Sequence, residues 1–207
     1  MIDLHKNKNF NGSLERDGYV YVPGFFDELT MELVSLYAEY CLRRGTWSFE
    51  DVPRGDEFSK HAFYSDPLSE VLLMKSVDSM SEITQKKLTP TYSFFRIYDY
   101  LDELEPHVDR PSCEYSVTIN VFSKKIWPIF MQDRNKPDTK PSSFDLSPGD
   151  AVVYKACNVS HWREKMINKD NFTVQFTLHY VDLDGPFAKY KYDQRPGLSY
   201  SQYSRMT

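Results

Sequence analysis

The sequence predicts one mainly β domain, with two helices placed ahead of a β-sandwich or barrel. Three observations lead there. At 207 residues the chain is long enough for one sizeable core, and no repeat or linker-like stretch divides it. Apolar residues recur at helical spacing only in its first part. From Thr89 onward the pattern changes to short runs rich in β-branched and aromatic residues, broken by turn residues.

Taken in order, residues 18–26 (Gly-Tyr-Val-Tyr-Val-Pro-Gly-Phe-Phe) read as a strand bounded by glycines. Asp27 is the cap of a helix running to about Arg44, where Gly45 stops it. Leu33, Leu36, Tyr37, Tyr40 and Cys41 are its expected buried face, and Arg43 and Arg44 suit the negative end of its dipole. Residues 46–65 read as an irregular loop carrying Trp47, Phe49, Phe58, His61, Phe63 and Tyr64, either a binding lid or a loop tucked over the core. Asp66 and Pro67 open a second helix, with Leu68, Val71, Leu72, Met80 and Ile83 facing inward and Met74 and Met80 as core fillers. Candidate strands follow at residues 91–98, 115–122, 127–132, 143–146, 151–156 and 172–181. Ser147-Pro-Gly-Asp150 is a tight turn, and the charged loop 133–142 is exposed. The domain core is expected over about residues 14–182, with 185–207 a partly ordered, tyrosine-rich tail.

Composition narrows the function. A net charge of −5 gives no electrostatic reason to expect a nucleic-acid partner. The start, Met-Ile-Asp-Leu-His-Lys-Asn-Lys, has no apolar signal core, and the longest apolar runs are too short to span a bilayer. Cys41, Cys113 and Cys157 are odd in number and contain no Cys-x-x-Cys, so they read as reduced thiols of a cytoplasmic protein. Sequons at Asn11, Asn158 and Asn171 are then coincidental.

The chemistry centres on His107-Val108-Asp109. In an extended backbone residues i and i+2 share a face, so this imidazole and carboxylate can reach one metal ion. His161, just beyond the apolar run Ala-Val-Val-Tyr154, supplies a second imidazole. Two imidazoles and one carboxylate on one face of an octahedron leave positions open for substrate and dioxygen, as in non-haem ferrous oxygenases. His-x-Asp alone is a weak signal, because any two polar residues flanking a valine match it. His179 reads as a structural histidine and not as a fourth ligand.

With its context the motif becomes specific. Residues 17–26 followed by a helix, Arg96-Ile-Tyr98 ahead of Glu105-Pro-His-Val-Asp109, and Leu146-Ser-Pro-Gly-Asp-Ala-Val-Val-Tyr154 ahead of His161 together resemble the Fe(II)- and 2-oxoglutarate-dependent oxygenases. The nearest branches are the prolyl-4-hydroxylase-like and phytanoyl-hydroxylase-like ones, and the likeness runs from about Leu14 to Val181. It implies a double-stranded β-helix, or jelly roll, with His107, Asp109 and His161 as iron ligands at one open end. It also implies 2-oxoglutarate as cosubstrate, dioxygen, and a small-molecule or peptide substrate. Oxidative decarboxylation of 2-oxoglutarate to succinate and carbon dioxide would accompany hydroxylation.

The far carboxylate of 2-oxoglutarate needs a cation. Relatives place an Arg or Lys on the strand after the distal histidine, whereas Phe172-Thr-Val-Gln-Phe-Thr-Leu-His-Tyr180 carries neither. Arg163, two residues beyond His161, is the first substitute, and Lys125, after the strand that follows His-x-Asp, is the second. Tyr98 matches the family tyrosine that helps hold the same carboxylate, and Thr118 and Asn120 are expected to face the barrel interior. Arg110 and Trp162, each beside a ligand, point the other way and touch substrate or close the rim. The aspartate of His-x-Asp argues against halogenation, where relatives leave that position for chloride. Two alternatives stay open: a cupin-like iron dioxygenase that needs no 2-oxoglutarate, and a non-catalytic β-barrel binding module.

Overall fold

The computed structural model describes residues 11–44 and 61–199. Eleven strands form two antiparallel sheets. In chain order they are β1 (Asn11–Ser13), β2 (Tyr19–Val22), β3 (His61–Tyr64), β4 (Leu88–Tyr98), β5 (Leu104–His107), β6 (Tyr115–Ser123), β7 (Ile129–Asp133), β8 (Ser142–Phe144), β9 (Ala151–Tyr154), β10 (Val159–Arg163) and β11 (Thr173–Asp182). The large sheet has the order β1-β2-β9-β6-β11-β4-β3, and the small one β5-β10-β7-β8. Helices α1 (Glu28–Arg44), α2 (Pro67–Lys75) and α3 (Val77–Thr84) precede the main run of strands.

Alternation along the strands sorts the residues of the large sheet into two layers. Phe95, Ile97, Val117, Ile119, Val153, Phe176 and Leu178 join Val34, Ala38, Leu72, Leu73 and Met80 of the helices in one apolar cluster. The other face turns Tyr92, Val152 and Tyr154 onto Ile129, Met131 and Val159 of the small sheet. That inner layer also carries Arg96, Thr118, Asn120, Thr173, Gln175, Thr177 and His179, all buried. Polar side chains placed this deep cost free energy unless they are hydrogen-bonded or serve a ligand, so the space between the sheets is where function is to be sought.

The helix caps are as the sequence predicts. Asp27 accepts the Thr30 N–H at 2.7 Å, and Asp66 accepts those of Leu68 and Ser69 at 3.1 Å each. The buried face of α1 is only partly so: Cys41 is buried and Tyr37 packs edge-on against Phe95, but the other three expected residues are not buried. Thr30, Val34, Ala38 and Cys41 face the sheet, while Leu33, Leu36 and Tyr40 stand 57%, 58% and 56% exposed. The helix carries two apolar stripes, and the one with the smaller side chains lies against the sheet. The second helix is broken at Ser76 into α2 and α3; Met80 is buried but Met74 and Val71 are half exposed. Within the expected loop 46–65, residues 61–64 form β3 on the edge of the large sheet, and Trp47, Phe49 and Phe58 lie outside the described residues.

Within the expected tail, the described residues up to 199 form a strap, and residues 200–207 lie outside the described residues. A kinked 3-10 stretch, Ala188–Gln194, holds Tyr192, Asp193 and Gln194 in left-handed conformations, at φ 53°, 54° and 62°. Buried Asp193 accepts from the Tyr64 hydroxyl at 2.7 Å and pairs with Arg110 at 3.1 Å. Buried Arg195 pairs with Glu70 at 2.7 Å and donates to the Thr91 carbonyl. Cys41, Cys113 and Cys157 are free thiols. Among the described residues no helix is long and apolar enough to cross a membrane.

The Ser147–Asp150 turn ties down the β2–β9 pairing at the end where Val22 faces Ala151. Gly149 takes φ +87°, open to glycine without cost, and a Cβ there would press on Met31. The Asp150 carboxylate accepts from the Tyr21 hydroxyl, the Gly24 N–H and the Ser147 N–H at 2.7, 2.8 and 3.1 Å. Asp150→Ala strands all three donors and is expected to cost about 3 kcal/mol. Thermal denaturation should show a melting temperature lower by about 6–12 °C.

Candidate metal centre

His107 ends β5 and His161 sits in the middle of β10. The two strands are antiparallel neighbours in which His161 is the register partner of His107, so both imidazoles leave the small sheet on one face, with ring centres 4.2 Å apart. Asp109 follows two residues after His107, where β5 has ended. Its N–H donates to the Ala156 carbonyl at 2.9 Å, fixing the backbone that aims the carboxylate. Asp109 Oδ1 lies 3.5 Å from His107 Nε2 and 3.7 Å from His161 Nε2.

The tautomers are set by the backbone. His107 Nδ1 donates to the Glu105 carbonyl at 2.7 Å and His161 Nδ1 to the Val159 carbonyl at 3.2 Å. Each Nε2 lone pair is left turned to the common centre, the arrangement in which imidazole binds metals. Bonds of about 2.1 Å at right angles put donor atoms about 3 Å apart, so a small contraction would close this set on one ion. Asp109 Oδ2 is buried with no hydrogen-bond partner, which an apo-protein tolerates poorly and a cation relieves. The donor set therefore fits a divalent transition metal held facially.

The electrostatics agree. Burial pushes the Asp109 carboxyl up, but the His161 and His107 imidazoles outweigh it and bring it down to about 2. Burial holds His161 below the ordinary histidine range. At His107 burial acts the same way, but the protonated ring can also offer Nε2–H to Asp109, so the net shift is upward, and a metal ion would take that proton's place. The carboxylate is therefore held in its charged, metal-binding form well below neutral pH.

The three residues open onto a cleft between the sheets that encloses about 410 Å³ when counted out to its mouth. Its walls are Tyr92, Phe94, Arg96 and Tyr98 of β4, Gln175, Thr177 and His179 of β11, with Thr118, Tyr154, Leu104 and Ile129. Tyr98 and Thr118 stand where the sequence predicts; the Tyr98 hydroxyl is 3.5 Å from Arg96 Nη1, and Thr118 Oγ1 is 3.2 Å from the Tyr154 hydroxyl. Asn120 is buried but takes no part in the lining. Its amide donates to the Leu146 carbonyl at 2.8 Å and its oxygen accepts from Ser123, so it serves the turn into β9.

Arg163 points inward but sits behind the cleft wall, 2% exposed. It donates to the Trp127 carbonyl and, at 3.0 Å, to Gln175 Oε1, with its guanidinium 4.9 Å over the Trp127 ring. Nε has no partner, and burial lowers its pKa to about 10. Lys125 is exposed on the turn after β6, outside the lining; only its backbone is held, by Asn171. The expectation that it reaches the cleft fails because that turn carries its side chain outward. Arg110 and Trp162 point away from the centre, Arg110 onto Tyr92 and Asp193, Trp162 onto Phe130.

Of the cleft residues that were not anticipated, two are basic. Arg96 stands on the inner face of β4 with its guanidinium 4.5 Å from the Phe94 ring centre. Its signal was present, since Arg96 and Tyr98 are two apart on one strand and share a face. His179, expected to be merely structural, lines the cleft, its Nδ1 held by Ser116 at 2.7 Å.

The geometry predicts that the wild-type protein takes up one Mn(II). At a hundredfold excess over Kd the ion should stabilise it by about 2.7 kcal/mol. Asp109→Ala should take up none, while its metal-free melting temperature stays level or rises, because an unpartnered buried carboxylate has been removed. Calorimetric titration and thermal denaturation measure both.

No family model matches the sequence, and no curated protein matches it. Among solved structures the chain is similar to SnoK, a non-heme alpha-ketoglutarate-dependent carbocyclase from nogalamycin biosynthesis. The identity is 14%, over 94% of this chain and 88% of that one, with a TM-score of 0.67. It is similar to a Pseudomonas putida prolyl-4-hydroxylase at 16% identity, over 82% of this chain and 95% of that one, TM-score 0.62. It is also similar to EctD from S. alaskensis with bound Fe, at 13% identity over 84% of this chain and 78% of that one, TM-score 0.63. At these identities the likeness is one of fold: the chain has the double-stranded β-helix, or jelly roll, of iron- and 2-oxoglutarate-dependent oxygenases.

Proposed function

We propose that this protein is an Fe(II)- and 2-oxoglutarate-dependent oxygenase that hydroxylates a small-molecule or peptide substrate. The observation that carries the proposal is the convergence of His107 Nε2, His161 Nε2 and Asp109 on one side of a point that opens into the cleft. Three ligands on one side leave the remaining positions of an octahedral ion facing the cleft, where cosubstrate and dioxygen would enter. The chemistry supplied by such a centre couples decarboxylation of 2-oxoglutarate, to succinate and carbon dioxide, with insertion of one oxygen atom of dioxygen into a substrate C–H bond.

The chain's own residues hold, neutralise and exclude. The Glu105 and Val159 carbonyls keep both imidazoles in the metal-binding tautomer. Tyr92, Phe94 and Tyr154 wall the cleft with rings and limit water beside the reacting atoms. The far carboxylate of 2-oxoglutarate is assigned to the end lined by Tyr98 and Gln175. Gln175 turns its oxygen to Arg163, which leaves its amide nitrogen for the cleft. Arg163 is fully buried, and among the described residues no carboxylate pairs with it, so an anion at that end would find a cation that water does not screen. Arg96 adds a guanidinium to the same wall.

A second reading rests on one fact: no arginine or lysine of β11 reaches the cleft, and Arg163 lies behind Gln175. A metal-dependent dioxygenase that dispenses with 2-oxoglutarate would need neither. Calorimetry with Mn(II)-loaded protein under anaerobic conditions separates the two. The proposal expects 2-oxoglutarate to bind wild type, and Arg163→Ala to weaken it roughly ten- to hundredfold, the effect of losing about 1.5–3 kcal/mol. Arg163→Lys should fall between, because a point charge replaces a planar fork. Both variants should still bind Mn(II). Unchanged 2-oxoglutarate affinity in Arg163→Ala places the anchor elsewhere, and a wild type that binds none favours the second reading.

A further inference from the structure

We infer that the chain holds a second metal site, for a thiophilic divalent cation of the zinc class, made of Asp109, Cys113 and His179. Donor atoms of these three residues all lie within 4.8 Å of one another. They come from three separate pieces of the fold: Asp109 follows β5, Cys113 closes the 3-10 turn Pro111–Cys113, and His179 stands on β11 beside Ser116 of β6.

Each donor is held ready. Ser116 Oγ is 2.7 Å from His179 Nδ1 and fixes the ring, leaving Nε2 as the other nitrogen for an ion. The Cys113 sulfur is 1% exposed and its one close polar neighbour on β4 is the Tyr92 hydroxyl, at 2.9 Å. Asp109 divides its two oxygens, since Oδ1 faces His107 and His161 while Oδ2 is buried without a partner. That orphaned oxygen would be relieved by a cation on either side of the carboxylate, and on this side a thiol and an imidazole stand within 4.8 Å of it. A set of one sulfur, one nitrogen and one oxygen suits zinc far better than a hard ion such as magnesium, and poorly suits ferrous iron in competition with the His107–His161 side. Binding would release the thiol proton to solvent and leave a thiolate on the ion.

Because Asp109 belongs to both sets and each set has only two other protein donors, an ion in one site takes a ligand from the other, and the two sites fill in competition. Zinc would thus displace iron by drawing Asp109 away from the two histidines and not by replacing iron between them.

Co(II) and Zn(II) serve as probes on the full chain. The double variant His107→Ala/His161→Ala lacks the first site, so its behaviour does not depend on the proposed oxygenase reading. It should still bind one Co(II), with a sulfur-to-cobalt charge-transfer band in the near ultraviolet. Cys113→Ser introduced into it should remove the band and weaken binding at least tenfold, whereas Cys157→Ser, at the half-exposed thiol near Arg110, should leave the band intact. X-ray absorption of zinc-loaded wild type, which needs no variant, should show a sulfur neighbour at about 2.3 Å. An all-nitrogen-and-oxygen shell around zinc, a double variant without the sulfur band, or a band that follows Cys157 overturns the site.

Discussion

The pairing of β5 with β10 is the contact on which the candidate centre depends. Those two strands bring His107 and His161 opposite one another, and the pleat then leaves no choice about the face their rings share. A slip of one residue in this pair would turn one imidazole to the outside of the small sheet. The register is guarded on the far side of β10 by four successive pairings with β7, from Val159–Asp133 to Trp162–Phe130, and by the stacked Trp162 and Phe130 rings. The irregularity between His161 and Arg163 falls just beyond the ligand, so Leu104 and not Glu105 opposes Arg163.

The large sheet answers a different demand. Its helix-facing layer is mostly apolar, with Ser93 hydrogen-bonded to Ser69 of α2, and its inner layer is polar near the centre. The same strand that anchors Phe95 and Ile97 in the core presents Tyr92, Phe94, Arg96 and Tyr98 to the cleft. Stability and function are thus written on alternate residues of one strand. Core substitutions and cleft substitutions in β4 should be nearly independent in their effects wherever the side chains do not touch.

Much of this was legible in the chain. His107, Asp109 and His161 could be picked out because their motif has a fixed stride and a recognisable sequence on either side. The Asp66–Pro67 start and the Ser147–Asp150 turn follow from local chemistry that no distant residue overrides. The α1 face was misjudged in part because Leu33, Leu36 and Tyr40 form the stronger apolar stripe, whereas the smaller Val34 and Ala38 are the ones buried in the core. Asn120 faces the interior as expected, but its amide is taken by the Leu146 carbonyl, while Lys125 failed for a different reason. Which way a strand-end side chain turns is decided by the next turn's geometry, and Asn171 lies far off in sequence. Arg96 was overlooked although its place relative to Tyr98 was readable. Nothing local foretold that Asp193 and Arg195 would be buried, since their partners Tyr64, Arg110, Glu70 and Thr91 lie 80 or more residues earlier.

The strap has a consequence for the order in which the protein is completed. Asp193 reaches Arg110, the residue next to Asp109, and Arg195 reaches Glu70 at the start of α2. Three successive non-glycine residues in the left-handed region are costly on their own and persist because these ion pairs hold them. A chain emerging from the ribosome can therefore build both sheets before the loop bearing Asp109 is braced from outside, since the brace comes after the last strand. Contacts of such long separation form late and are the first to open when the fold breathes. The carboxylate of the centre is thus tied to a segment made after the β11 strand, and the loop that carries it is braced from outside only once that strap has docked.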